Sequence, residues 1–247
     1  MNLPAHRKKL IFLDTETTGT ADEDRLCQCA YMTDEDPGEY NELFKPELPI
    51  SVDAMAISHI TNRHVEDKPA FEGSKMQSHL NSLMSDKGHV LVAHNAPFDV
   101  RMLEKDGVKV PQFIDTLKVV QFLDPQSMIP RYSLQYLRYY LDFDIQAQAH
   151  DAWGDILVLE KLFERLYNKL AEQYHSHEEI VGKMIAITKE PLMIKRFNFG
   201  KYRDQLVIDV AQSDRGYLEW LYKQKQKQRD EGDPDENWEY TLKKVLS

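Results

Sequence analysis

Four acidic residues stand where a buried core normally allows none. Asp14 and Glu16 end the apolar run 10–13, Asp99 follows a second run at 90–93, and Asp155 opens a strongly apolar helical stretch just after His150. Carboxylates on elements that bury would repel one another and desolvate badly unless something cationic joins them. Residues i and i+2 of a strand share a face, so Asp14 and Glu16 project together. Asp99 shares a helix face with Met102 and Leu103, and Asp155 shares one with Ala152 and Leu159. A hard divalent cation prefers oxygen ligands and relieves such crowding. A pair of such ions beside a histidine predicts phosphodiester hydrolysis. The competing readings are local: a solvated strand-end bend through Thr17, Thr18 and Gly19, and a favourable first-turn charge at Asp99. Asp155 resists that alternative, because Ile156, Leu159, Leu162, Phe163 and Leu166 mark the buried face of its helix.

His150 precedes that helix by one or two residues, with Asp151 as its cap. Five helical residues turn through about 500°, so His150 and Asp155 cannot stack if both are helical. His150 therefore belongs on the entry to the helix, within reach of a water whose proton an imidazole takes near neutral pH. His94 competes for the role, but its strand-to-helix turn favours local hydrogen bonds.

The size of 247 residues suits one large domain, or a medium one with a small companion. No apolar stretch approaches the roughly 20 residues of a membrane helix, and no signal-peptide core follows the basic start. Cys27 and Cys29 are the only cysteines; they are expected to stay reduced, which points to a cytoplasmic protein. A net charge of −10 argues against a nonspecific basic binder without excluding nucleic acid. Residues 183–229 hold 11 Lys or Arg against 5 Asp or Glu, and residues 230–239 then hold six acids and no base. The basic stretch is either a nucleic-acid face or a solvated helix bearing Lys223, Lys225 and Lys227.

Residues 10–13, 26–33, 40–45 and 90–93 read as strands, the first three as a meander. Helical signals fall at 53–57, 61–65, 76–84 and 96–106, then after Asp115, after Ser133, and over 152–174. This order predicts an α/β domain: a mixed central sheet flanked by helices. The rhythm changes near residue 175: residues 175–179 are polar, a short amphipathic helix is expected to follow, and residues 189–193 read as a boundary. The expected organisation is a catalytic domain at 9–174, a linker at 175–189 and a small C-terminal module at 190–247. In that module Gly200 marks the turn of a strand or hairpin, and residues 208–211 and 216–222 look helical.

Asp14-Thr15-Glu16-Thr17-Thr18-Gly19, His94-Asn95-Ala96-Pro97-Phe98-Asp99 and His150-Asp151-Ala152-Trp153-Gly154-Asp155 resemble the three motifs of the DnaQ-like (DEDDh) 3′–5′ exonuclease family, in its order. Residues 49–57, 199–203 and 217–221 are similar to segments of the exonuclease X branch, which extends the resemblance through the C-terminal module. The resemblance implies a ribonuclease H-like fold and a nuclease that releases 5′-mononucleotides from 3′ ends. It implies two Mg²⁺ ions per site, with Mn²⁺ the alternative. Asp14, Glu16 and Asp155 would hold one ion, Asp14 would bridge to a second supported by Asp99, and His150 would be the general base. Thr15, Thr17 and Thr18 would meet the 3′-terminal nucleotide. Phe98 would lie against the terminal bases, or else in the core, and His59 near the substrate. Gln28 departs from the family, which commonly has Glu there. DNA is the favoured substrate and RNA the alternative; an intact His150 and four acids argue against a catalytically silent adaptor. In the module, Lys201 and Arg203 beside Gly200 are the expected substrate contacts, since a glycine turn permits close approach. Tyr202, Tyr217, Trp220 and Tyr222, interleaved with the basic residues of 183–229, could stack on nucleic acid; the alternative, favoured for Trp220, is that Tyr217, Leu218, Trp220 and Leu221 form the core of the module.

Overall fold

The computed structural model describes residues 10–33, 38–86, 88–145, 152–231 and 234–247. It divides into two units. The first takes in the described residues up to Leu123 and Ile129–Thr188; the second takes in Asp124–Met128 and Lys189–Ser247.

In the first unit, β1 (Leu10–Thr17), β2 (Leu26–Thr33) and β3 (Tyr40–Leu43) precede three helices, α1 (Val52–Ser58), α2 (Asn62–Val65) and α3 (Lys75–Ser85). Then come β4 (Val90–Ala93), α4 (Ala96–Lys105), β5 (Phe113–Asp115), α5 (Thr116–Leu123), α6 (Leu134–Tyr140), α7 (Ala152–Leu170) and α8 (His177–Lys189). The sheet order is β3-β2-β1-β4-β5, antiparallel on the β2–β3 side and parallel on the β4–β5 side. This is the mixed sheet flanked by helices that the sequence predicts.

Central β1 is covered on both faces, which is why its first half is wholly apolar. Leu10 and Phe12 face the cluster built on α7, where the Phe12 and Phe163 rings meet edge-on at 5.3 Å. Ile11 and Leu13 face the other cluster, with Met76 and Leu80 of α3 and Met102 and Leu103 of α4. The strand continues through the acids to Thr17, four residues past its expected end, and pairs with β2 up to an irregularity at Glu16 and Thr17. Its alternation thus sends Asp14 and Glu16 to the α7 face and Thr15 to the α4 face.

The segment 175–189 is not a linker. From His177 it forms α8, whose Ile180, Val181, Met184 and Ile187 are buried in the α7-side core. Its polar start is a helix terminus: the Glu179 carboxylate accepts from the His175 and Ser176 N–H groups at 3.0 and 3.2 Å.

The second unit holds α9 (Val207–Ser213), α10 (Arg215–Asp230) and α11 (Glu236–Leu246). They enclose Phe197, Val210, Leu218, Leu221, Trp238 and Leu242. Before α9, the chain turns at Gly200, whose φ of +67° suits glycine; a Cβ there would meet Tyr217 Oη at 3.2 Å. Instead of a full hairpin, one bridge joins Arg196 to Leu206 around a short 3-10 turn. Among the described residues no helix is long and apolar enough to cross a membrane.

Candidate active site

Three of the four sequence-selected acids come together. One carboxylate oxygen each from Asp14, Glu16 and Asp155 lie within 4.8 Å of one another. Asp14 and Glu16 reach this point from the α7 face of β1, and Asp155 from the first turn of α7, where it is buried. Three oxygen donors at this spacing suit a hard divalent cation.

Asp99 stands outside that trio. It is buried on α4, and its Oδ1 accepts a 2.7 Å hydrogen bond from the Thr15 hydroxyl on the other face of β1. Burial pushes its pKa from 3.8 up to about 7, against the lowering effect of that hydroxyl. This fixes a sign for the metal-free protein. The folded form holds the proton above the unfolded pKa, so the stability contribution is full below about pH 4 and is lost as pH rises through about 7. Metal-free wild-type protein is expected to lose melting temperature across this window relative to Asp99→Asn. Parallel melting curves of the two, taken in EDTA from pH 4 to 8, would contradict this.

Asp155 is held by a residue that the sequence reading missed. Gln135, in the first turn of α6, donates through Nε2 to Asp155 Oδ1. Arg138, one turn on and buried, approaches Gln135 Oε1 at 3.4 Å and donates to the Ile145 carbonyl. Hydrogen bonds to a ligating carboxylate fix its rotamer and typically carry 10- to 100-fold in metal affinity or activity. Gln135→Leu should therefore raise the Mg²⁺ concentration at half-maximal velocity by about tenfold or more, with an unchanged circular dichroism spectrum. An unaltered Mg²⁺ dependence would assign Gln135 no part in holding Asp155.

His150 lies outside the described residues. His94 is described, and it is committed elsewhere. Its Nε2 lies 2.6 Å from the Tyr132 carbonyl and its Nδ1 3.0 Å from the Thr116 hydroxyl. Burial lowers its pKa to about 4, so it is neutral at working pH. The turn after it is set by Asn95, in the left-handed region at φ 67°, whose N–H donates to Asp115 at 2.9 Å. Asp115 also accepts from Leu117 N–H at 3.0 Å, so it serves as the expected start signal of α5 while ending a strand.

Beside the trio lies a cavity of about 400 Å³, whose walls include Thr15, Glu16, Thr17, Asp53, Ile57 and Phe98. Three of the expected substrate residues, Thr15, Thr17 and Phe98, therefore share it. Phe98 is half-buried and belongs to both readings made of it, packing against the core while lining the cavity. Thr18 does not reach the cavity: it is fully buried, and its hydroxyl donates to Asp24 at 2.6 Å to close the loop after β1. His59 is no part of the wall. It caps α1 at its C-terminus with φ 59° and is exposed. The α1 residues Asp53 and Ile57 were missed, because a seven-residue helix leaves little periodic signal to say which face meets a site. Gln28 spans from β2 to Asn41 of β3 at 2.8 Å, opposite Glu16. Cys27 and Cys29 are buried free thiols. Burial, then Glu16, pushes Cys27 up to about 12, and burial, then Asp99 and Asp14, holds Cys29 well above the usual thiol range.

Lys201 and Arg203 belong to the second unit. Lys201 is ion-paired with Asp214 at 3.0 Å and covers the Tyr202 and Tyr217 rings at 4.7 and 5.0 Å. Tyr202 donates to the same carboxylate at 2.6 Å. Lys201 thus braces its own unit while its side chain stays largely exposed. Arg203 is exposed.

A mixed five-stranded sheet whose central strand and flanking helix bring acids together defines a nuclease of the ribonuclease H-like class. The Exonuclease (RNase T) family profile matches residues 11–163, and the chain belongs to that family. The exodeoxyribonuclease X-like C-terminal profile matches residues 197–226. Exodeoxyribonuclease 10 of Escherichia coli (strain K12) is 34% identical over 190 residues, which is 74% of this chain and 76% of that protein. DNA polymerase III subunit epsilon of Treponema pallidum (strain Nichols) is 32% identical over 187 residues, 70% of this chain and 85% of that one. Among solved structures, exonuclease X in complex with 5′-overhanging duplex DNA matches with a TM-score of 0.53 at 26% identity, covering 72% of this chain and 99% of that one.

Proposed function

We propose that this chain is a two-metal 3′–5′ exodeoxyribonuclease releasing 5′-mononucleotides. The observation that carries the metal requirement is the meeting of Asp14, Glu16 and Asp155 within 4.8 Å. These three would hold one divalent ion; Asp14 with Asp99 would serve a second. Bound there, such ions neutralise phosphoryl charge and lower the pKa of water.

The rest is the work of the chain's own residues. Thr15 keeps the Asp99 carboxylate fixed, and Gln135 keeps that of Asp155. The cavity walls Phe98 and Ile57 offer apolar surface to a terminal nucleoside, while Thr15 and Thr17 edge its sugar side. His150 would take the proton of the attacking water. DNA is favoured because exodeoxyribonuclease 10 and the epsilon subunit are the similar proteins. A cytoplasmic setting fits the two buried free thiols.

Matched 3′-labelled DNA and RNA oligonucleotides with Mg²⁺ test this reading. Faster release from DNA supports it, and preferential release from RNA would replace it with an exoribonuclease.

A further inference from the structure

The sequence suggests that Trp220 is core, but the structure puts it outside. It is 53% exposed, while Leu218 and Leu221 on either side are buried. The unit has another tryptophan, Trp238, which is buried with its ring 5.0 Å from Phe197. The core is therefore filled without Trp220.

The helix period shows what accompanies the exposed indole. Gly216, Lys223, Gln224 and Lys227 lie four before and three, four and seven after it, on one face of α10, and all are exposed. Gly216 leaves the preceding turn open, since a Cβ there would meet nothing nearer than Asp214 at 3.8 Å. Tyr217 backs the indole at 5.5 Å and is itself covered by Lys201.

The other cations of α10 are spoken for. Arg215 pairs with Glu219 at 3.2 Å, Lys225 with Asp235 at 2.6 Å and Arg229 with Glu239 at 2.8 Å. Lys227 faces Glu231 at 3.6 Å, a surface contact of small worth. Lys223 forms no ion pair with a described residue. The face thus offers one stacking surface with Lys223 a turn away, and little of a broad electrostatic patch.

We propose that the Trp220 face of α10 binds single-stranded DNA, with the indole stacking on an unpaired base and Lys223 meeting the adjacent phosphate. A duplex buries its base faces in its own stack, so an exposed indole selects a strand that is already open. The ammonium beside it complements a polyanion, although the whole chain carries a charge of −10. The inference rests on the exodeoxyribonuclease reading for the identity of the strand.

The test measures anisotropy of fluorescein-labelled dT30 with the full chain in EDTA, where hydrolysis is stopped. Trp220→Ala should weaken binding by roughly 5- to 150-fold, the worth of one base–aromatic stack. Trp220→Phe should recover most of that loss, and Lys223→Glu should weaken binding and flatten its salt dependence. Equal affinity of Trp220→Ala and wild type for dT30, or no recovery in Trp220→Phe, would overturn the proposal. Hydrolysis by wild type with Mg²⁺, run alongside, separates the two claims. Hydrolysis with unchanged Trp220→Ala binding sinks this surface alone; wild type that neither binds nor cuts DNA sinks the reading on which it rests.

Discussion

Asp14→Ala is expected to reduce hydrolysis to the limit of detection. Asp14 is the residue proposed to serve both ions, and one of its carboxylate oxygens lies within 4.8 Å of those of Glu16 and Asp155. Without it, Glu16 and Asp155 remain on the same face but cannot span two cations. The fold should survive, because the change removes a repelling charge from a crowded carboxylate trio. Asp14→Asn keeps the shape and should fail equally, which separates loss of charge from loss of packing. The measurement is release of 3′-terminal label at saturating Mg²⁺, with melting temperature as the check on folding. Turnover near the wild-type rate in either variant would contradict a two-metal site.

His150→Ala should cost roughly 100- to 10,000-fold in turnover, the usual worth of general acid–base catalysis. The sign of the pH dependence follows from the role. A base works deprotonated, so wild-type activity should rise with pH through the histidine range and then level off. Saturating metal is needed, because the raised pKa of Asp99 makes metal occupancy itself sensitive to pH. His150→Ala should lose that rise while keeping its Mg²⁺ requirement. His94 cannot inherit the role: both ring nitrogens face partners, and its pKa is lowered to about 4. If the rise persists in His150→Ala, another group is the base.

The sequence exposed the acids because a carboxylate at the end of a buried strand has few stable alternatives. It exposed the mixed sheet because long apolar runs alternate with helical periods. It missed β5 because three residues acquire strand character only by pairing with β4. It read a short amphipathic helix where α8 lies but missed α11, because the acidic residues at both helix starts read as breaks. In each case the acid serves the helix start, Glu179 for α8 and Asp235, which accepts from Trp238 N–H, for α11. The inward turn of the Thr18 hydroxyl to Asp24 was not legible, because strand alternation does not reveal it. Gln135 carried no signal, since its meaning comes from the 20-residue separation to Asp155 that folding closes. Trp220 was misassigned because apolar neighbours on both sides suggest a buried helix, whereas α10 buries only the Leu218 and Leu221 stripe.

The central claim is metal-dependent removal of nucleotides from the 3′ end, and a 5′-labelled single-stranded DNA followed over time tests it directly. With Mg²⁺ the account predicts a ladder that shortens from the 3′ end, 5′-mononucleotides as the released species, and no cleavage in EDTA. Cleavage that persists in EDTA, or immediate release of the 5′ label as a mononucleotide, would contradict it.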